Sequence, residues 1–171
     1  MAEITKIYRQ PMPAARFIGR SYTDADRVNG SFVPLWQDWI TEGLFRPLTG
    51  FIKGWDFEGS EVPIGLTRMK EGEPARYWIG RFVPPEHKVP EGYESVDLAG
   101  GTLGVCWVRA KGLDLYDQAK LCLPALSEHG AELVSDRDGA FWFFERYEFP
   151  RSRTPEKDGS LTLDYCFYIA D

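Results

Sequence analysis

Glu145 is a carboxylate set among aromatic rings. In the run GAFWFFERYEFPR, Gly139 to Arg151, four rings precede it in a row, and Tyr147 and Phe149 follow. Successive side chains of a strand point to opposite faces. Read as a strand, the run places Phe141, Phe143, Glu145, Tyr147 and Phe149 on one face and Trp142, Phe144, Arg146 and Glu148 on the other. An ionised carboxylate among rings loses its hydration and needs compensation. A cross-strand arginine such as Arg81, Arg76 or Arg109 could supply it, as could a proton or a ligand that brings positive charge. Rings and a carboxylate together suit a soft organic cation, since each ring face contributes roughly 0.5–2 kcal/mol and the acid adds a charge-assisted contact. Tyr147, about 7 Å further along the same face, is the nearest expected neighbour.

The rest of the chain narrows the classes of chemistry open to it. With 26 acidic against 20 basic residues, a net charge of −6 and no cluster of Lys or Arg, it lacks the cationic footprint of a polyanion binder. Cys106, Cys122 and Cys166 lie far apart in apolar contexts and read as small buried hydrophobes. His87 and His129 stand in polar stretches without HxH, HExxH or CxxC spacing, so no metal is expected. Neither GxGxxG nor a P-loop occurs, so no nucleotide cofactor is expected either. No stretch has the length of a signal peptide's apolar core or the roughly 20 residues of a membrane span. The expectation is a soluble, cytoplasmic protein that touches neither membrane nor nucleic acid. Asp24, Asp26, Glu71 and Glu73 read as solvated turn residues.

Periodicity describes the elements that position Glu145, and it says the same thing twice. A strand-like run at Ala14 to Tyr22 leads to a helix with Phe32, Leu35, Trp36, Trp39 and Ile40 on one face. Another at Gly100 to Gly112 leads to a helix marked by Leu115, Tyr116, Ala119, Leu123 and Leu126, with Asp114 as cap, Gly130 as stop and Pro124 inside. Each helix precedes two strand-like runs: VPIGLTRM and ARYWIGRFV, then AFWFFERYEF and LTLDYCFYI. The extra starts at ITKIYRQ and YESVDLA would pair ahead of each unit. The fold class is therefore α+β, a duplicated β-α-β-β unit with an antiparallel sheet and helices on one face. The whole of 1–171 is expected to form one domain, with halves at 4–84 and 92–170 and Gly19 and Gly104 at matching places.

The succession RYWIGRFVPPEHKVPEGYESVDLAGGTLGVCWV, then LYDQAKLCLPALSEHG, then FWFFERYEFPR resembles the GyrI-like small-molecule-binding domain. That is the effector-binding domain of multidrug-sensing AraC-type and MerR-type bacterial regulators, and it also occurs free-standing. The resemblance spans Ile4 to Ile169. It implies pseudo-twofold symmetry, a ligand cleft where the halves meet, and a buried glutamate that receives lipophilic cations, which falls on Glu145. No helix-turn-helix accompanies the domain in these residues, so the implied form is free-standing, without direct DNA contact, and any regulator is a separate protein. A further branch resembles hydrolases of strained cyclopropane-bearing natural products. There Glu145 would activate water while Tyr147 or Tyr165 polarises the substrate.

Trp78, Trp107 and Tyr165 lie on strands expected to floor or wall that cleft, and Phe143 shares the face of Glu145. Trp55, in the glycine-bounded FIKGWDFEG, is either a lid or a loop anchor. Trp36 and Trp39, at helical core spacing, are assigned to packing.

Overall fold

A computed structural model describes residues 1–48 and 55–171. Eight strands and two helices follow one another as β1 (Glu3–Met12), β2 (Ala15–Tyr22), α1 (Val33–Thr41), β3 (Ile64–Met69), β4 (Arg76–Val83), β5 (Glu94–Leu98), β6 (Gly101–Ala110), α2 (Ala119–Glu128), β7 (Phe141–Arg146) and β8 (Leu161–Ile169). All eight strands join one antiparallel sheet in the order β1-β6-β8-β7-β3-β4-β2-β5. The order reads alike from either end about the β7–β3 boundary, where the two β-α-β-β units meet.

The extra strands do not pair ahead of their own units. They are exchanged: β1 pairs with β6 of the second unit, and β5 pairs with β2 of the first. This exchange bends the sheet. In a flat sheet with strands about 4.8 Å apart, β1 and β2 are six places, or about 29 Å, apart, yet only Pro13 and Ala14 connect them. Two intervening residues reach about 11 Å. The β5–β6 link, Ala99 and Gly100, has the same geometry. The two links touch: a Cβ on Gly100 would come within 3.0 Å of the Ala14 nitrogen and 3.1 Å of the Met12 carbonyl oxygen.

Curling gives the sheet two different faces. One encloses a core to which every strand contributes, including Met12, Phe17, Leu66, Trp78, Phe82, Leu98, Val105, Phe144 and Cys166, with Trp55 and Phe57 packed against it. The other carries α1 and α2 on two separate cores. Trp39, fully buried, anchors α1 over Ile18 and Ile79 and donates its Nε1–H to the Tyr22 hydroxyl at 2.8 Å. Cys122 and Leu126 anchor α2 over Cys106, Val108 and Leu163.

Two elements differ from the periodicity reading. The second helix begins at Ala119 with Gln118 as N-cap, because Asp117 takes a left-handed φ of 57° and separates it from a 3₁₀ turn at Gly112–Leu115. Asp114 is thus in that turn, not a cap. The β7 strand stops at Arg146: the Tyr147 nitrogen turns to the Pro63 carbonyl, and Phe149 is exposed rather than sharing a strand face. All three cysteines are buried and free. Among the described residues no helix is long and apolar enough to cross a membrane, and no group of His, Cys, Asp and Glu is set to hold a metal ion.

The enclosed face also holds a buried ion pair. Arg146 donates from Nε to Asp164 at 2.9 Å, from Nη1 to the Gln10 side-chain oxygen at 2.7 Å, and from Nη2 to the Tyr8 hydroxyl at 2.9 Å. Arg151 binds the same aspartate through Nε at 2.8 Å. Removing one partner of a buried pair strands the other charge, at a cost of about 3–5 kcal/mol. Asp164→Asn should lose stability on that scale in urea unfolding at pH 7; a loss below about 1 kcal/mol would mean that Glu58 alone, 3.2 Å from Arg146, compensates the arginines.

Candidate functional site

Between α1 and α2, above the β3–β7 boundary, lies a cleft of about 860 Å³. Thr67 of β3, Tyr77 of β4, Phe143 and Glu145 of β7 and Tyr165 of β8 form its floor. Phe32, Val33 and Trp36 wall it on the α1 side, and Tyr116, Ala119 and Leu123 on the α2 side. The cleft is therefore built by both units, and on the face that carries the helices.

Glu145 reaches it by alternation. Phe144 and Arg146 turn to the enclosed face, where Phe144 packs edge-on against Phe82 at 5.0 Å, so the side chain between them faces the cleft. No arginine meets it among the described residues. Arg81 donates to the carbonyls of Leu48 and Ser60, Arg109 pairs with Glu3, Glu156 and Asp158, and the Arg76 guanidinium lies over the Trp78 ring at 5.9 Å. Two hydroxyls serve Glu145 instead. Tyr147 donates to Oε2 at 2.9 Å and Tyr77 donates to the same oxygen at 3.2 Å.

Those tyrosines are themselves held. Trp36 donates its Nε1–H to the Tyr77 hydroxyl at 2.9 Å and packs against Tyr147 at 4.5 Å, while Phe32 stacks on Tyr77 at 4.4 Å with the rings 8° from parallel. Gly65, directly opposite Glu145 in the ladder, makes room for the arrangement. A Cβ there would lie 2.3 Å from the Tyr77 hydroxyl and 3.0 Å from Glu145 Oε2.

Burial pushes the Glu145 pKa up from the ordinary 4.5 to about 7, against the pull of the Tyr147 and Tyr77 hydrogen bonds; Asp117 adds to the rise and Arg27 opposes it. Burial, and then the Glu145 charge, hold Tyr77 and Tyr147 well above the usual phenol range. Both tyrosines are thus donors at any physiological pH, and Glu145 is the group that titrates. At the mouth, Arg27 of the first unit approaches Asp117 of the second at 3.8 Å.

Of the residues singled out in the sequence, the structure brings Glu145, Tyr147, Phe143 and Tyr165 to the cleft. Phe143 also stacks on Phe167 at 5.1 Å. The Tyr165 hydroxyl donates to the Leu115 carbonyl and accepts from the Gln118 nitrogen, so Tyr165 offers the cleft its ring. Trp55, Trp78 and Trp107 are elsewhere. Trp78 belongs to the enclosed core and packs on Trp142, and Trp55 packs edge-on against Phe57 beside that core. Trp107 also borders that core, its ring 4.5 Å from Lys6 Nζ and 4.4 Å from the Arg151 guanidinium. Residues 49–54 of the loop before Trp55 lie outside the described residues.

No protein-family model matches the chain, and no curated protein does. Solved structures do. SAV2435 bound to tetraphenylphosphonium matches with a TM-score of 0.64 at 14% identity, over 96% of this chain and 94% of its own. A candidate transcription regulation protein from Staphylococcus aureus MU50 matches with a TM-score of 0.60 at 16% identity, over 97% and 99%. EcmrR, in its DNA complex, matches with a TM-score of 0.55 at 13% identity, over 97% of this chain but 57% of its own. The fold is that of the GyrI-like domain.

Within this GyrI-like fold, the site residues that sequence reasoning passed over are Tyr77, Trp36 and Phe32. Alternation in RYWIG shows that Tyr77 and Trp78 face opposite ways, but only the position of α1 shows which one meets the cleft. Trp36 and Trp39 are three apart on the same helix; Trp39 goes under it and Trp36 to its edge over Tyr147.

Gly65→Ala should drive the Tyr77 hydroxyl off Glu145 and, by removing a hydrogen bond to the charged form, raise the Glu145 pKa further. Carboxyl-carbon NMR titration would show the midpoint above about 7; an unchanged midpoint would mean that Tyr77 does not support the carboxylate. A second expectation concerns stability. With a folded-state pKa near 7 against 4.5, the native protein holds the extra proton between those values, so stability falls as pH rises across that window. The full cost above pH 7 is about 3 kcal/mol. Glu145→Gln removes it, so the variant should gain on the wild type by up to that amount between pH 4.5 and 8 in denaturant unfolding. A pH-independent difference would contradict a buried, titrating Glu145.

Proposed function

We propose that this protein binds lipophilic small molecules carrying positive charge, with Glu145 as the counter-ion at the floor of the cleft. The observation that carries the reading is a carboxylate only 9% exposed, lined by rings and two tyrosine hydroxyls, that has no cationic side chain beside it among the described residues. An organic cation offers what the arginines do not, and Phe32, Trp36, Tyr77, Phe143, Tyr147 and the ring of Tyr165 offer it π-faces. SAV2435, of the same fold, is bound to tetraphenylphosphonium, four phenyl rings around a positive phosphorus, which supports the ligand class. In the cell such a protein sequesters its ligand or passes the signal to a separate regulator.

A titrating carboxylate with a pKa of about 7 and two phenol donors is also the equipment of a general base. It supports a second reading, hydrolysis of a strained cyclopropane-bearing natural product with Glu145 activating water and Tyr147 polarising the substrate. Incubation with a cyclopropane-bearing alkylator, followed by mass spectrometry, separates the two. Product beyond one equivalent of protein makes the cleft an active site; unchanged compound that still protects the protein thermally leaves it a binding site.

The binding reading is tested by isothermal titration with a quaternary ammonium ligand and its neutral carbon isostere. Glu145→Gln should weaken the cation by about 1–3 kcal/mol, the scale of hydrogen bonds to charged groups, and the isostere by much less. For the wild type, cation binding should release a proton at pH 6 and tighten as pH rises to about 7, then level off, because only the ionised carboxylate attracts the ligand. Equal weakening of both ligands, or pH-independent affinity, would remove Glu145 from the site.

A further inference from the structure

The floor of the cleft is built twice, once by each hairpin, and the two copies differ in charge. In the first hairpin Thr67 of β3 pairs with Tyr77 of β4, and Gly65 pairs with Ile79. In the second, Glu145 of β7 pairs with Tyr165 of β8, and Phe143 pairs with Phe167. Thr67 therefore holds in its unit the place that Glu145 holds in the other, and Gly65 holds the place of Phe143. Two residues further along each strand, Met69 matches Tyr147. Thr67, Met69 and Phe143 all line the cleft.

The substitutions between the copies make one half of the floor anionic and the other neutral. Where β7 has a carboxylate, β3 has a hydroxyl. Gly65 leaves the space through which Tyr77 reaches across the β3–β7 boundary to Glu145. Phe143, stacked on Phe167, fills the equivalent space, and the Tyr165 hydroxyl turns instead to Leu115 and Gln118. Met69, 50% exposed, stands where the other unit has the Tyr147 donor. The surrounding charges agree. Of the three acids that line the cleft, Asp24 and Asp117 face Arg27 at 2.9 and 3.8 Å, which leaves Glu145 as the one without a cationic partner among the described residues. Arg76, which pairs with Arg68 one ladder step beyond Thr67, also lines the cleft and adds positive charge on that side. A second positive charge over Thr67 would be desolvated against Phe143 and Met69 with no carboxylate to meet it.

We propose that Thr67, Met69 and Phe143 form a second subsite, for the uncharged end of the ligand, and that Thr67 limits the ligand to one positive charge. The ligand is an elongated monocation whose charged end lies at Glu145 and whose apolar arm lies over Phe143 and Met69. Its charged end rests on the cation reading of Glu145; the place of the apolar arm does not. Thr67 is the diagonal neighbour of Glu145 in the β3–β7 ladder, a spacing of about 7–8 Å.

The test uses three ligands on one biaryl scaffold: neutral, one quaternary ammonium, and two ammonium groups about 7–8 Å apart. Titration calorimetry at low salt and pH 9, where the carboxylates are ionised, should show the wild type binding the mono compound about tenfold tighter than the bis compound, within the cost of one unmatched buried group. Thr67→Glu should reverse the preference by about the same factor. Thr67→Gln, of equal size but without the charge, should not reverse it. Melting temperatures confirm that the variants fold. If Thr67→Glu does not, Met69→Glu, half exposed on the same face, carries the test with the second ammonium about 7 Å further out. A wild type that binds the bis compound as tightly as the mono compound, or a preference that Thr67→Glu leaves unchanged, overturns the subsite. A wild type that binds the mono and neutral compounds alike removes the cation reading of Glu145. In that case a Thr67→Glu protein that gains a preference for the mono over the neutral compound keeps the ligand over Thr67, and one that gains none overturns both. Failure of all three compounds to shift the melting temperatures of wild type and Thr67→Glu at millimolar concentration also overturns both.

Discussion

A strand sends neighbouring side chains to opposite faces, and on β7 that rule separates two buried charges by one residue. Arg146 goes to the enclosed face, where Asp164, Gln10 and Tyr8 satisfy its donors. Glu145 goes to the helix face, where two phenols hydrogen-bond it and, among the described residues, no cationic side chain pairs with it. A slip of one residue in the β7 register would exchange the two, putting a carboxylate against Asp164 and a guanidinium into the aromatic cleft. The Arg146–Asp164 pair is therefore more than a local contact. It makes the wrong register electrostatically unfavourable, and in doing so it fixes which way Glu145 points.

The cleft itself follows from the strand exchange. Because β1 and β5 cross to the opposite unit over two-residue links, the sheet curls and closes one face on a core fed by all eight strands. Only the other face is left for helices, and each helix covers the strands of its own unit: α1 over β2 and β4, α2 over β6 and β8. The two middle strands, β3 and β7, belong to different units and lie under neither helix. A groove over them is what remains when two equal units each cover themselves. Its floor is consequently centred on β3 and β7, flanked by Tyr77 of β4 and Tyr165 of β8, and the acid of β7 arrives there opposite a glycine of β3.

Much of this was legible in the sequence. Alternation and helical spacing place the strands and helices and reveal the duplication, and the ring-carboxylate-ring pattern marks Glu145 before any coordinates. What was not legible is what a neighbour decides. Strand parity separates Tyr77 from Trp78 but cannot say which face the cleft occupies, and Trp78 proved to be in the enclosed core. Helical spacing groups Trp36 with Trp39, although 300° of rotation over three residues leaves one at the edge of the buried stripe. The exchange of β1 and β5 has no local signature, since an edge strand reads the same whichever unit it joins. The later start of α2 depends on Asp117 adopting a left-handed conformation, which aspartate tolerates better than most residues but which the helical spacing around it does not announce.

The tyrosines explain why the carboxylate is poised rather than neutral or satisfied. Burial pushes Glu145 upward, and the Tyr147 and Tyr77 hydrogen bonds pull it back, so without them its pKa would rise further and less of it would be ionised at pH 7. An arginine partner would have had the opposite effect, holding it ionised but consuming the attraction that a ligand needs. Two phenols on one oxygen lie between these limits: they keep ionisation accessible near pH 7 while leaving the charge without a paired cation among the described residues. Trp36 maintains that balance from α1, since its indole N–H occupies the Tyr77 oxygen and orients the phenol proton toward Glu145. The site thus couples a helix of the first unit to a strand of the second through a single hydroxyl.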